Sequence, residues 1–177
     1  ASLIYFSGIT LAILPPDDAS AFLNLAAHAQ AQGKVVAFDP NIRPALWSDT
    51  ERMRSIIARA ASVSTIVLPS FDDEATAFGD PDPAATVARY ARYGAQMVVL
   101  KNGEGDVQVQ QSGGATQVFA TMPVAAPVDT TGAGDSFNGA FLAEYMKSQD
   151  VAAAVKAGQT CAAEVICHRG ALIDLNA

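Results

Sequence analysis

Sulfur, imidazole and positive charge are all scarce in this chain of 177 residues. Two cysteines, Cys161 and Cys167, and two histidines, His28 and His168, make no convincing zinc set. The cysteines fall six apart in an expected helix and so point to different faces, which reads as two reduced, buried thiols in a cytoplasmic protein. Eleven Lys and Arg against 18 Asp and Glu leave a net charge of −7. A nucleic-acid surface needs a basic stripe, so that class is excluded. An anionic small molecule is not excluded, because a few local donors outweigh a global field. The opening Ala1-Ser2-Leu3-Ile4-Tyr5-Phe6-Ser7-Gly8 has no basic leader and is too short to span a membrane. Repeats and low-complexity tracts are absent, and Gly79-Asp80-Pro81-Asp82-Pro83 is short enough for an ordinary loop. What remains is 50% hydrophobic and 16% charged, the balance of one domain with a real core.

Strand-like and helix-like runs alternate. A buried apolar strand over Leu3–Ser7 is expected to start at the chain's first residues without a Met, which reads as a piece of a longer protein. Pro15-Pro16-Asp17-Asp18 then opens a helix that Gly33 ends. A buried strand over 34–38 leads into the loop Asp39-Pro40-Asn41-Ile42-Arg43-Pro44, and Ser48-Asp49 caps a helix to about residue 61. A strand at 65–68 precedes helices over Phe71–Phe78 and Pro83–Tyr93. A strand at 96–101, a hairpin of 106–110 with 116–120, and helices at 132–147 and 151–167 complete the order. This alternation predicts a mostly parallel sheet covered on both faces, with ligands at the carboxyl ends of its strands. The loops at 39–43, 69–74 and 101–106 all follow strands.

The densest signal is Val128-Asp129-Thr130-Thr131-Gly132-Ala133-Gly134-Asp135-Ser136-Phe137-Asn138-Gly139. Unpaired N–H groups at a helix start seat phosphate, and glycine allows close backbone approach. A carboxylate beside such a seat does not bind phosphate; it is placed to take a proton from an attacking hydroxyl. The spacing is not a dinucleotide fingerprint, since the third glycine is Gly139, and no Gly-Lys-Ser/Thr makes it a Walker loop. The residues alone are equally compatible with a packing turn whose Asp135 favours the helix dipole.

With its flanks, this segment resembles the second signature of the ribokinase-like (PfkB) sugar kinases. The resemblance implies a three-layer α/β/α sandwich with a mostly parallel sheet. It also implies an anion hole built from the amides of Gly132, Ala133 and Gly134, with Asp135 as catalytic base, and ATP and Mg²⁺ as cofactors. Such chemistry depends on positioning and charge stabilisation. Within the family, Tyr5-Phe6-Ser7-Gly8-Ile9-Thr10-Leu11 and Phe38 to Trp47 look most like the kinases of 2-keto-3-deoxygluconate. There the arginine of the Asp-Pro-Asn-x-Arg loop meets the acid sugar's carboxylate, which implies that role for Arg43 with Asn41 approaching ATP. The guanidinium fork suits a carboxylate. Simple pairing of Asp39 with Arg43, and packing of Trp47, are the structural alternatives.

Val98-Val99-Leu100-Lys101-Asn102-Gly103-Glu104-Gly105-Asp106 resembles the family's glycine turn under the nucleotide, implying contacts from Lys101, Gly103 and Gly105, with Thr131 joining from the signature. Asp106 stands where a second glycine is usual. Pro69-Ser70-Phe71-Asp72-Asp73-Glu74-Ala75 falls where the family carries Asn-x-x-Glu tied to magnesium; Glu74 matches the acid, but Phe71 replaces the asparagine. The resemblance covers essentially the whole chain and only the carboxyl-terminal part of the family's fold. No Gly-Gly sugar motif and no β lid are found. Positioning supplies roughly 7–11 kcal/mol of a barrier, so the chain alone is expected to be poorly active or inactive; the alternatives are another sugar kinase of the family, such as a fructokinase or ribokinase, and a non-catalytic nucleotide-binding fragment. Its partners are expected to be an acid sugar and ATP, with no nucleic acid and no membrane. A homo-oligomer, or pairing of the open edge strand with an amino-terminal half, is expected as well.

Overall fold

The computed structural model describes residues 1–173. Six strands form one sheet in chain order: β1 (Leu3–Ser7), β2 (Val35–Asp39), β3 (Ile66–Val67), β4 (Met97–Leu100), β5 (Val107–Gln111) and β6 (Gln117–Phe119). The first four are mutually parallel and β5 returns antiparallel to β4. The helices are α1 (Gly8–Ile13), α2 (Pro16–Ala31), α3 (Thr50–Ser62), α4 (Phe71–Phe78), α5 (Pro83–Tyr93), α6 (Ala133–Ser148) and α7 (Val151–Val165), with a 3₁₀ turn at Pro44–Leu46. The chain divides into two compact units. One holds Ala1–Gly103 with Gln108–Val118, and the other holds Glu104–Val107 with Phe119 onward.

The first unit carries the core. β4 is buried at all four positions and β2 at four of five, as expected for central strands rich in Val and Phe. Phe6 stacks on Phe38 at 4.9 Å and meets Phe22 edge-on at 5.0 Å. Local rules set the helix ends. Asp49 accepts from the amides of Glu51 and Arg52, and Asp82 accepts from Ala85 just ahead of Pro83. Gly79 and Gly94 close α4 and α5 in the left-handed region, at φ 76° and 99°.

Three expectations change. The α1 turn lies where strand was expected to lead straight to the helix at Pro16. Ser7 gives it no side-chain cap, and Ile9 and Leu11 prolong the apolar run. β1 is not fully buried: it is the sheet's edge, only Phe6 is enclosed, and Tyr5 is 42% exposed. The thiols are not both buried, since α7 ends at Val165, leaving Cys161 half-buried and Cys167 exposed. Among the described residues, no helix is long and apolar enough to cross a membrane.

Candidate functional site

In the sheet-bearing unit, the expected residues gather at the carboxyl ends of β2 and β4. Asp39 ends β2 in a buried position. One of its carboxylate oxygens accepts the Asn41 N–H at 3.1 Å. The other lies 3.8 Å from the Lys101 ammonium and 3.5 Å from the Tyr5 hydroxyl, which donates to it. This anchoring holds Asn41 at φ 36°, a left-handed conformation that asparagine tolerates better than most residues. Behind the loop, the carbonyl of Pro40 comes so close to Gly8 that a Cβ there would lie 1.9 Å from it. Only glycine permits that approach.

Arg43 points elsewhere. Its Nη1 donates to the Ile42 carbonyl at 2.9 Å and pairs with Asp73 at 3.4 Å, and half of the side chain is exposed. The Asp39–Arg43 pairing is therefore replaced by two separate pairs, Asp39 with Lys101 and Arg43 with Asp73. Trp47 is half-buried against the core, as a packing residue should be. Gly103 sits at φ 53°, with the Asp72 carboxylate 4.0 Å from where its Cβ would be. The start of α4 is tied to the same strand end. Phe71 N–H donates to the Lys101 carbonyl and Lys101 N–H to that of Pro69, each at 2.9 Å.

Glu74 does not face this edge. It is fully buried: one carboxylate oxygen pairs with Arg89 at 2.7 Å and the other accepts the Tyr90 hydroxyl at 2.9 Å. Arg89 also pairs with Asp80 at 2.6 Å and lies over the Phe78 ring, 3.7 Å from its centroid. Burial pushes Glu74 up to about 7 against the opposing pull of Arg89. Burial also pushes Asp80 up, but hydrogen bonds from Arg89 and Thr86 overcome it and leave Asp80 lowered. Both carboxylate oxygens of Glu74 are committed, so it offers magnesium no open ligand. Among the described residues, no group of three or more His, Cys, Asp or Glu is placed to hold a metal.

Sequence reasoning missed Arg89, Asp80, Tyr90 and the Asp73 contact. A signal existed for Arg89, which shares a buried helix face with Thr86, Val87 and Tyr90. An arginine there calls for an acid.

In the second unit, Gly132 caps the start of α6; its φ is 80° and its absent Cβ would lie 2.7 Å from that of Ala171. Asp129 shapes the approach. It accepts the amides of Thr131 and Gly170, each at 2.9 Å. The Thr131 hydroxyl first, then these amides, hold its carboxyl down at about 2. The Ala133 N–H goes to the Thr130 carbonyl and the Ser136 N–H to that of Gly132. Between them, the Gly134 and Asp135 amides are donors that a helix start leaves without intrahelical acceptors. Asp135 is exposed, and among the described residues it has no ion pair and no side-chain hydrogen bond. Two residues on, Phe137 is buried against α7, where a Cβ at Gly158 would fall 2.8 Å from its ring. The turn is thus open at its tip and packed at its base. Gly105, in the same unit, accepts a hydrogen bond from the Thr121 hydroxyl.

Chemically, the α6 start can seat a phosphoryl group on backbone donors with a carboxylate beside it. The other unit's edge offers one half-exposed guanidinium and two acidic side chains.

Known proteins match this arrangement. The chain is 34% identical over 177 residues to a 2-dehydro-3-deoxygluconokinase of Haemophilus influenzae, covering 97% of this chain and 55% of that protein. To the enzyme of that name in Escherichia coli it is 35% identical over 176 residues, 98% and 57% covered. A Klebsiella pneumoniae fructokinase is 34% identical over 167 residues, 90% and 53% covered. The chain thus spans about half the length of these curated relatives. Among solved structures, a Vibrio cholerae fructokinase with fructose, ADP and calcium ion superposes with TM-score 0.84 at 27% identity, covering 96% of this chain and 56% of that one. A Salmonella enterica aminoimidazole riboside kinase, with aminoimidazole riboside and an ATP analog, gives 0.84 at 26%, covering 96% and 57%. The fold is the ribokinase-like α/β fold. The model of the pfkB family carbohydrate kinases matches residues 1–177, and the chain belongs to that family.

Proposed function

We propose that this chain is the nucleotide-binding and catalytic portion of an ATP-dependent kinase that phosphorylates an acid sugar, 2-keto-3-deoxygluconate, on its primary hydroxyl. The observation that carries the reading is the α6 start in a chain of this family, where an exposed Asp135 stands beside the Gly134 and Asp135 amides, which have no acceptor among the described residues. Asp135 takes the proton of the sugar hydroxyl as its oxygen bonds to the γ-phosphorus. The bond from phosphorus to the bridging oxygen breaks and ADP leaves. The amides of Gly132, Ala133 and Gly134 stabilise the charge on the phosphoryl oxygens in flight, Ala133 giving up the Thr130 carbonyl to do so. Asn41, Gly103, Gly105 and Thr131 serve the nucleotide; Lys101 does so while paired with Asp39. Magnesium belongs to the nucleotide's phosphates, the usual way this ion is held in kinases, and not to Glu74.

Arg43 receives the sugar's carboxylate in this reading. The identity to two enzymes named 2-dehydro-3-deoxygluconokinase supports an acid sugar, and the half-exposed guanidinium supplies the means. The similarity to a fructokinase supports a second reading, a neutral ketose. Arg43→Ala separates them. In the kinase that contains this chain, it should raise KM for 2-keto-3-deoxygluconate by about 10–100-fold, the worth of a charge-assisted pair, and KM for fructose far less. Equal effects on both sugars would defeat the acid-sugar assignment.

A further inference from the structure

We infer that Asp73 sets how strongly the enzyme prefers an acid sugar over a neutral one, by serving as a resident counter-ion for Arg43. The inference rests on the proposed role of Arg43 and deepens it. Arg43 has five N–H donors. Its Nη1 is occupied by the Ile42 carbonyl and the Asp73 carboxylate. Nε and Nη2, with no recorded partner among the described residues, form one edge of the fork, and a carboxylate docks on such an edge with two parallel hydrogen bonds.

The backbone that carries Asp73 is anchored. It lies on the first turn of α4, which begins at the bridge between Ser70 and Lys101. The rotation of α4 is fixed by the next residue, Glu74, buried on Arg89 and Tyr90. Arg43 lies on an irregular loop, with half of its side chain exposed.

Two consequences follow from charge. An incoming carboxylate meets a guanidinium already half neutralised, with a like charge beside it, so acid-sugar binding is weakened. A neutral sugar leaves Arg43 without a ligand carboxylate, but the arginine keeps Asp73 and its desolvation is less costly. Both consequences narrow the gap between the two substrates. Asp73 is therefore a specificity-determining residue that keeps the site tolerant.

The test is the ratio of kcat/KM for 2-keto-3-deoxygluconate to that for fructose, measured in the kinase that contains this chain. Asp73→Asn keeps an oxygen acceptor for Nη1 and removes the charge. It should raise the ratio about three- to fivefold, chiefly through a lower KM for the acid sugar, as expected for one partly exposed charge. Asp73→Glu, which restores the charge, should return the ratio to within twofold of the parent. A ratio unmoved by Asp73→Asn, while Arg43→Ala still penalises the acid sugar selectively, overturns the inference and leaves the function standing. A rise of equal size in Asp73→Glu also overturns it, because charge would then not be the cause. If Arg43→Ala affects both sugars alike, the reading of Arg43 fails and this inference fails with it.

Discussion

Of the helix starts that carry acids, those of α4 and α6 put them to opposite uses. At α4, Asp72, Asp73 and Glu74 fill the first turn; at α6, Asp135 stands there alone. Helix-dipole physics favours all four equally. Burial separates them. Glu74 is enclosed, bonded to Arg89 and Tyr90, and pushed up toward neutrality, while Asp135 is open to solvent beside unclaimed amides. An acid spent on the interior fixes a helix, and an acid left in water is available for chemistry. The difference cannot be read from helix position. It depends on whether a cation from a distant segment arrives, and Arg89 is 15 residues away on another helix.

Removing each acid in turn should sharpen the contrast. Glu74→Ala leaves Arg89 buried with only Asp80, and should destabilise the chain by about 3 kcal/mol, the low end for breaking a buried pair. Asp135→Ala should change the unfolding midpoint little. Denaturant unfolding followed by circular dichroism compares the two, and similar losses would erase the distinction.

A smaller effect concerns pH. Glu74 rises from 4.5 to about 7 on folding. Between those values the folded state keeps a proton that the unfolded chain has released, so this group's stabilisation is full below about pH 4.5 and lost as pH rises through 7. The slope is at most about 1.4 kcal/mol per pH unit. Glu74→Gln should flatten the profile between about pH 5 and 7. An unchanged profile would show that Glu74 is already ionised at the lower end.

Much of the fold was legible because local rules agree with it. The Pro15-to-Asp18 start, the Gly33 stop, the Asp49 cap and the apolar runs at β2 and β4 each mark an element from its own residues. Where a local signal is missing, the reading failed: α1 has no side-chain cap, and the end of α7 before Cys167 has no glycine stop. The Gly132-Ala133-Gly134-Asp135 turn and the Arg43 loop stood out for the same reason, since their residues are contiguous. Asp73 beside Arg43 and Arg89 beside Glu74 did not, because contacts 30 and 15 residues apart leave no periodic trace. The commitment of Glu74 to Arg89 and Tyr90 was invisible for the same reason.

The central claim is that Asp135 takes the proton in phosphoryl transfer. It is tested most directly by measuring ADP formation and nucleotide affinity together in Asp135→Asn of the kinase that contains this chain. The account predicts that turnover falls by about 10²–10⁴-fold, the usual worth of a general base, with nucleotide Kd within about threefold of the parent. Turnover within tenfold of the parent, with affinity retained, would contradict it.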